Sequence, residues 1–254
     1  MSRSFALAAV AALGLVLGAA TPANAIADGD PVPDGHYTFS VKLTMTGIPT
    51  ADGGKRNSAC SGALVSPRWV ITAGHCFRDA NNVRVDHPVA DLTTATVGRT
   101  DLTDTDHGIE ATVIAVRQSP TADVALAEID TPAWHVRPIR LSAKAPGIGD
   151  ILRVTGYGST TSVNPTPVTH LRTGQLQVVS VSDAVVGLHG YAPAADTTPC
   201  PYDSGGPYFV ERKKHAPELV AVVSNGPSCP HTATENAARV DNIAAWVHTV
   251  LSSR

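Results

Sequence analysis

Three polar side chains in this sequence have the types that nucleophilic catalysis requires. Ser204 lies in the stretch DSGGP, where two glycines after the serine let the backbone turn tightly and let another molecule approach. His75 follows an apolar run in VITAGHCF, and Asp123 begins the apolar run DVALAEI. A buried acid is costly unless it is paired, and a histidine ring is a suitable partner. Because a serine hydroxyl needs an adjacent base to attack, the three together indicate a serine nucleophile more strongly than any one alone.

The elements that must position these side chains are short. After residue 25 the sequence is a series of short β-type runs separated by glycine, proline, aspartate and asparagine, which is typical of an all-β barrel or sandwich. The predicted strands are 38–43, 63–65, 69–72, 124–129, 151–155, 175–181, 208–210 and 219–224. From residue 240 to residue 251, apolar residues recur at helical spacing and predict a C-terminal amphipathic helix.

The N-terminal residues predict export. Arg3 precedes an apolar run over residues 5–20, and Ala23-Asn24-Ala25 has the small-x-small pattern of a signal-peptidase site. The run is short for a membrane-spanning helix. We therefore expect residues 1–25 to be a signal peptide, and the mature chain to begin at Ile26 as a secreted, extracellular protein without a membrane anchor.

Composition and charge limit the partners. The chain has 254 residues, 16% of them charged, and a net charge of -3, so no large basic field is available to attract nucleic acid. Residues 100–110 are acidic enough to suggest calcium but lack the EF-hand loop pattern, which favours a solvated loop and no metal. Four cysteines without a CxxC pair, in an exported chain, indicate disulfides rather than a zinc site.

Six stretches together resemble the chymotrypsin-like (trypsin-fold) serine peptidases, in particular their bacterial secreted members. They cover nearly all of the chain after residue 25, and jointly they are highly specific. In chain order they are CSGALVSPRWVITAGHC, DVALAEI, GYG at residues 156–158, DSGGP, SNG at residues 224–226 and RVDNIAAWV.

The resemblance implies a fold that composition alone does not show. It implies two six-stranded antiparallel β-barrels, with the site in the cleft between them, followed by a C-terminal α-helix. The peptidase domain would cover residues 26–254. Its N-terminal barrel would cover about 26–138, its C-terminal barrel about 139–239, and its helix about 240–253.

The resemblance also implies a role for each candidate catalytic residue. His75 would take a proton from Ser204 and return it to the leaving group, while Asp123 would hold the imidazole in the useful tautomer. The reaction would be peptide-bond hydrolysis through an acyl-enzyme, with a peptide or protein as substrate and with no metal or organic cofactor. We expect the protein to be a monomer.

Two further features of the family concern the stability of the serine loop. Spacing alone leaves three disulfide pairings open, and the resemblance implies Cys60 with Cys76 and Cys200 with Cys229. It also implies that the ammonium group of Ile26 folds inward onto Asp203 as an activating ion pair. The alternative is that Ile26 is an ordinary first residue.

The specificity pocket is defined less clearly. The resemblance places Thr198 at its base and Glu235 on its wall, and it leads us to expect that Ser224, Asn225 and Gly226 pair with the substrate backbone. If Glu235 projects inward, it would attract lysine or arginine. If it points outward, the pocket is merely polar. Asn225 replaces the aromatic residue usual in the family, so the pocket mouth is less apolar.

The backbone N–H groups of Tyr202 and Ser204 would form the oxyanion hole. Tyr202 stands where the family nearly always has glycine, and Pro201 precedes it. Two functions therefore compete: an active endopeptidase, and a catalytically impaired relative that binds a protein partner because Pro201-Tyr202 disturbs the hole. An esterase of the α/β-hydrolase type does not fit, because that fold places the serine before the acid and the histidine.

Overall fold

The computed structural model describes residues 25–253, so the predicted signal peptide lies outside the described residues except for Ala25. Most of the described elements are short strands. In chain order they are β1 (Asp30–Pro31), β2 (Ser40–Pro49), β3 (Lys55–Ser66), β4 (Trp69–Thr72), β5 (Leu92–Val97), β6 (Ile109–Gln118), β7 (Ala125–Ile129), β8 (Arg140–Leu141), β9 (Ile151–Gly156), β10 (Arg172–Val181), β11 (Val185–Ala192), β12 (Pro207–Val210), β13 (Glu218–Asn225) and β14 (Glu235–Arg239).

The first barrel is formed by β2, β3, β4, β7, β6 and β5, in that order around the barrel. It closes because β2 pairs with β3 on one side and with β5 on the other, so that Leu43 lies between Cys60 and Ala95. Alternate side chains along these strands point inward. They form an apolar core that includes the fully buried Leu43, Leu64 and Ile129.

The second barrel is formed by β9, β10, β11, β14, β13 and β12. It closes where β12 pairs with β9, and its interior contains Leu152, Leu176 and Tyr208. The short β1 adds to β10, and β8 runs parallel to β13. The prediction of two six-stranded antiparallel barrels is confirmed.

A third apolar cluster joins the two barrels to the C-terminal helix. It contains Ile71 and Leu126 from the first barrel, Phe209 from the second, and Val247 from the helix. The helix α1 covers Ala244–Ser252 and follows a 3-10 turn at Asp241–Ile243, so it begins later than residue 240. Within residues 25–253, no helix has the length and apolar character needed to cross a membrane.

Candidate active site

His75 and Asp123 meet because of the pairing between β4 and β7. His75 lies on a 3-10 turn, Gly74–Cys76, just after β4, and Asp123 lies two residues before β7. The two strands are antiparallel, with Thr72 opposite Ala125, so the end of one adjoins the start of the other. Asp123 accepts the backbone N–H of His75 at 2.9 Å through Oδ1 and contacts the ring Nδ1 at 2.7 Å through Oδ2. This double contact fixes the orientation of the imidazole.

Asp123 has two more polar neighbours. The Ser224 hydroxyl donates to Oδ2 at 2.7 Å, and Arg84 Nη1 lies 3.9 Å from Oδ1. Burial would raise the pKa of Asp123, but the hydrogen bonds from His75 and Ser224 outweigh it and lower the pKa to about 2. The carboxylate is therefore ionised at neutral pH. From sequence, we expected Ser224 only as a partner of the substrate backbone, and its hydroxyl contact was missed.

Ser204 is held at the junction of the two barrels. Ser61 of β3 donates its backbone N–H to the Ser204 carbonyl at 2.8 Å, and Gly205 donates to the Val223 carbonyl at 2.8 Å. Cys76 Sγ, beside His75 in the chain, lies 3.9 Å from the same Ser204 carbonyl. Within residues 25–253, the backbone nitrogen and the ring Nδ1 of His75 both form hydrogen bonds with Asp123. Contacts between a serine nucleophile and its base are often long before substrate binds and tighten in the complex.

The peptide before Tyr202 is oriented by a hydrogen bond. The Pro201 carbonyl accepts the Ser159 N–H at 2.9 Å, and the Tyr202 carbonyl accepts the Ser61 hydroxyl at 3.2 Å. In a planar trans peptide the carbonyl and the next N–H point in opposite directions. The Tyr202 N–H therefore points away from Ser159. Within residues 25–253, neither this N–H nor that of Ser204 has a hydrogen-bond acceptor, which leaves two donors for an oxyanion.

Tyr202 has a left-handed backbone, with φ of +76°. A residue with a β-carbon rarely adopts this conformation, which costs about 1–2 kcal/mol. The ring is turned toward Lys42, whose Nζ lies 5.9 Å from the ring centroid. The tyrosine therefore occupies a conformation suited to glycine, without rotating the peptide that carries its N–H.

Asp203 is fully buried and is surrounded by backbone donors. Oδ2 accepts N–H groups from Cys200 at 2.9 Å and Ile26 at 3.4 Å, and Oδ1 accepts that of Gly158 at 2.8 Å. A β-carbon at Gly156 or Gly158 would overlap this carboxylate, which explains the GYG stretch. Burial raises the pKa of Asp203 to about 6, although these donors act in the opposite direction. The structure thus brings Ile26 and Asp203 together, with Ala25 still joined to Ile26.

Lys42 is a site residue that the sequence analysis missed. It lies on β2 with 4% exposure, and its Nζ donates to the Tyr157 carbonyl at 2.8 Å. Burial lowers the pKa of the ammonium to about 8, against the attraction of Asp203. A lysine between apolar residues in the stretch SVKL was the signal available from sequence.

A cavity of about 360 Å³ adjoins Ser204. Its walls include Pro199, Cys200, Val223, Gly226 and Glu235. Glu235 is buried, and its carboxylate contacts His231, a residue that the sequence analysis did not single out.

Of the other residues that were expected around this pocket, one lies away from the cavity and three line it. Thr198, which was expected at the base of the pocket, is fully buried and is not among the residues that line the cavity; its hydroxyl donates to the Asp196 carbonyl at 3.3 Å. Ser224, Asn225 and Gly226 all line it, at the end of β13. Asn225 is exposed and donates to the Ser224 hydroxyl at 3.1 Å.

Two disulfides fasten the loops around the site. The structure joins Cys60 to Cys76 and Cys200 to Cys229, the pairs that the resemblance implies. The first ties β3 to the turn that carries His75. The second ties the segment before the serine loop to the segment after β13.

The acidic loop over residues 100–110 uses its carboxylates locally. Asp101 accepts the backbone N–H of Thr103 at 2.9 Å, and Asp104 contacts the His107 ring at 2.7 Å. In the part of the chain that the structure describes, no group of three or more acidic, histidine or cysteine side chains is arranged to hold a metal ion.

Comparison with known proteins gives one family and several relatives. A family model described as Trypsin matches residues 26–247. A beta-fibrinogenase-like protein of Daboia siamensis is 27% identical over 213 residues, which cover 76% of this chain and 78% of that protein. The proclotting enzyme of Tachypleus tridentatus is 28% identical over 237 residues, 82% of this chain but 61% of that protein.

A third relative, the alpha-fibrinogenase albofibrase of Trimeresurus albolabris, is 25% identical over 176 residues, which cover 61% of this chain and 64% of that protein. The chain thus spans less than two thirds of two of these three relatives. All three are eukaryotic proteins, so these comparisons do not support the bacterial origin expected from the sequence.

Proposed function

The chain belongs to the trypsin family of serine endopeptidases, and we propose that it hydrolyses peptide bonds through Ser204, His75 and Asp123. The observation that carries this proposal is the double contact between His75 and Asp123, beside a serine loop with two unbonded N–H groups. The substrate is a peptide or a protein.

In the acylation step, Ser204 Oγ attacks the scissile carbonyl and His75 Nε2 accepts its proton. Asp123 keeps the imidazole in the tautomer with a proton on Nδ1 and stabilises the imidazolium ion that forms. The oxygen of the substrate carbonyl becomes negatively charged and accepts hydrogen bonds from the N–H groups of Tyr202 and Ser204. His75 then donates its proton to the leaving amine. A water molecule then attacks the acyl-enzyme, again with His75 as the base, and the carboxylic acid product is released.

A catalytically impaired binding protein is the alternative, and the loop geometry does not favour it. A broken oxyanion hole requires the carbonyl before Tyr202 to turn into the hole. Here the hydrogen bond from Ser159 to the Pro201 carbonyl, at 2.9 Å, holds that peptide in the opposite orientation. Tyr202 therefore affects which substrates fit rather than whether catalysis occurs.

We propose that the protein is secreted. The charged and apolar N-terminal stretch and the small-x-small site before Ile26 support this location. The two disulfides also support it, because such bonds persist in oxidising compartments.

Removal of the nucleophile tests the function directly. We expect Ser204→Ala to lower kcat for a peptide ester by about 10⁶-fold, and to abolish labelling by a fluorophosphonate probe. Ser180→Ala, at an exposed serine of β10, is the matched control and should retain both properties. Hydrolysis by Ser204→Ala near the parent rate would refute the assignment.

A further inference from the structure

Only one of the described residues lining the cavity beside Ser204 is ionisable: Glu235. Its side chain is 3% exposed, and Oε1 lies 2.7 Å from Nε2 of His231, whose side chain is 10% exposed. A pair this deeply buried is screened far less by water and salt than a surface ion pair. The charge state of His231 is therefore felt strongly at Glu235.

The carboxylate faces the cavity at Gly226. A β-carbon on this glycine would overlap both carboxylate oxygens, so the absence of a side chain there brings the charge to the cavity wall. Burial raises the pKa of Glu235, and the contact with His231 offsets part of the rise. A cation that enters the cavity would meet this charge in a low-dielectric environment, where the attraction is strong.

The net charge of the pair depends on the imidazole. With neutral His231 the pair carries the full negative charge of Glu235, and with protonated His231 it is neutral. Nε2 is already occupied by Glu235, whereas Nδ1 is buried and has no partner in the described part of the chain, so Nδ1 is the nitrogen left to carry a second proton. Imidazoles ordinarily change charge between pH 5 and pH 8.

Other titratable groups near the pair do not substitute for His231. Tyr208 of β12 interacts electrostatically with Glu235, but burial raises the pKa of its hydroxyl well above the ordinary value, so it stays neutral. His189 of β11 contacts the Thr234 hydroxyl at 2.9 Å instead of Glu235. Residues 224–226, at and just after the end of β13, contain no titratable side chain. Neither does the segment 199–201, because Cys200 is in a disulfide.

We propose, on the basis of the endopeptidase function above, that His231 is a specificity-determining residue that controls the charge Glu235 presents to the substrate. Arginine or lysine before the scissile bond is favoured while the imidazole is neutral. When Nδ1 is protonated, the pair becomes neutral and uncharged side chains compete.

The test compares two peptide substrates that differ only in arginine or citrulline before the scissile bond. Citrulline has nearly the same shape without the charge, and arginine stays charged at every pH used. The kcat/KM ratio of the two, measured from pH 5.5 to pH 8.5, cancels the titration of the triad. In the parent we expect this ratio to rise about tenfold with pH.

Three variants locate the effect. In His231→Gln the amide can still donate to Glu235 but cannot titrate, so the ratio should stay at its high value across the pH range. In Glu235→Gln the ratio should stay low at every pH, because the cavity has lost its negative charge. His189→Gln is the matched histidine control and should keep the parent's slope.

A ratio that is constant with pH in the parent, or that still rises in His231→Gln, would overturn the proposal. If the parent cleaves neither substrate, the proposed function fails, and calorimetric binding of benzamidine decides the inference separately. Binding that tightens about tenfold between pH 5.5 and pH 8.5, and only in proteins with His231, supports the charge coupling. Binding that is independent of pH refutes it.

Discussion

Asp203 and Glu235 are two buried carboxylates near the same cleft, and burial raises the pKa of both. They differ in what donates to them. Asp203 accepts three backbone N–H groups, from Ile26, Gly158 and Cys200, which come from separate parts of the chain. Glu235 accepts one hydrogen bond, from the side chain of His231 four residues earlier. Backbone donors cannot lose a proton, so the hydrogen-bond donors to Asp203 are fixed, whereas the donor to Glu235 is a side chain that can itself change charge.

The largest effect expected between these two carboxylates comes from replacing Asp203 by its amide. In Asp203→Asn, the NH₂ group cannot accept the N–H groups that Oδ2 accepts, so at least one buried donor or acceptor loses its partner. We expect kcat/KM to fall by about 10²–10³-fold, the value of one oxyanion donor, because the loop carrying Tyr202 and Ser204 shifts. The free energy of unfolding should fall by about 1–3 kcal/mol for each buried group left without a partner.

Glu235→Gln is the matched control for that experiment. Its amide oxygen still accepts from His231 Nε2, so we expect a change in the free energy of unfolding of about 1 kcal/mol, measured by urea denaturation. Equal losses of stability in the two variants would contradict the distinction between the two carboxylates.

The second prediction concerns pH and the N-terminus. With Ile26 joined to Ala25, the pKa of Asp203 is raised from 3.8 to about 6. Between these values the folded protein binds more protons than the unfolded chain, so the free energy of unfolding falls as pH rises from about 4 to about 6. The rise in pKa corresponds to about 3 kcal/mol.

A free ammonium group at Ile26 would favour the carboxylate and reduce this fall. Denaturation between pH 4 and pH 6.5 should therefore show a smaller fall for protein that begins at Ile26 than for protein that retains Ala25. Parallel pH curves for the two forms would show that Ile26 does not form the activating ion pair.

The surroundings of Asp203 could be predicted from the sequence in part, whereas the contacts of Lys42 and of Glu235 could not. Asp203 lies within DSGGP, and its glycine neighbours lie in GYG, so short motifs indicated it. Lys42 contacts Tyr157 across 115 residues, and nothing local to either residue indicates that contact. His231 and Glu235 have helical spacing but lie in a loop and a strand, so their contact depends on tertiary structure.

The same limit applies to the strands. Strands β4, β9 and β13 were predicted because they contain short β-type runs rich in valine, isoleucine and leucine. Strand β14, ENAAR, was not predicted, since glutamate, asparagine and alanine are depleted in strands. It forms because β11 and β13 bond to both of its edges, which is information that no local pattern contains.

A smaller effect is expected from removing the buried cation near Asp203. Lys42→Met removes a positive charge that lowers the pKa of Asp203, so this pKa should rise further. We expect the ratio of kcat/KM at pH 6 to kcat/KM at pH 8 to be about tenfold lower in Lys42→Met than in the parent. Lys55→Met, at an exposed lysine paired with Asp91, is the matched control. A profile for Lys42→Met that superimposes on the parent's would show that Lys42 does not act through Asp203.

The smallest expected effect concerns Tyr202, the residue before Asp203, and it tests whether the backbone of the serine loop keeps its geometry when the tyrosine is removed. In Tyr202→Gly, relief of the left-handed backbone gains about 1–2 kcal/mol, while the greater freedom of glycine in the unfolded chain costs about 0.5–1 kcal/mol. The net change in the free energy of unfolding should therefore be within about 1 kcal/mol.

Activity separates the two roles of the tyrosine. The Tyr202 N–H is already unbonded and the Pro201 carbonyl is already held by Ser159, so hydrolysis of a small ester should change by less than about threefold. Peptides that extend beyond the scissile bond should gain more, because glycine removes a bulky ring next to the proposed oxyanion hole and leaves more room for a long substrate. A rise in the hydrolysis rate of about a hundredfold or more on both substrates, the value of one oxyanion donor, would mean instead that the tyrosine disrupts the oxyanion hole.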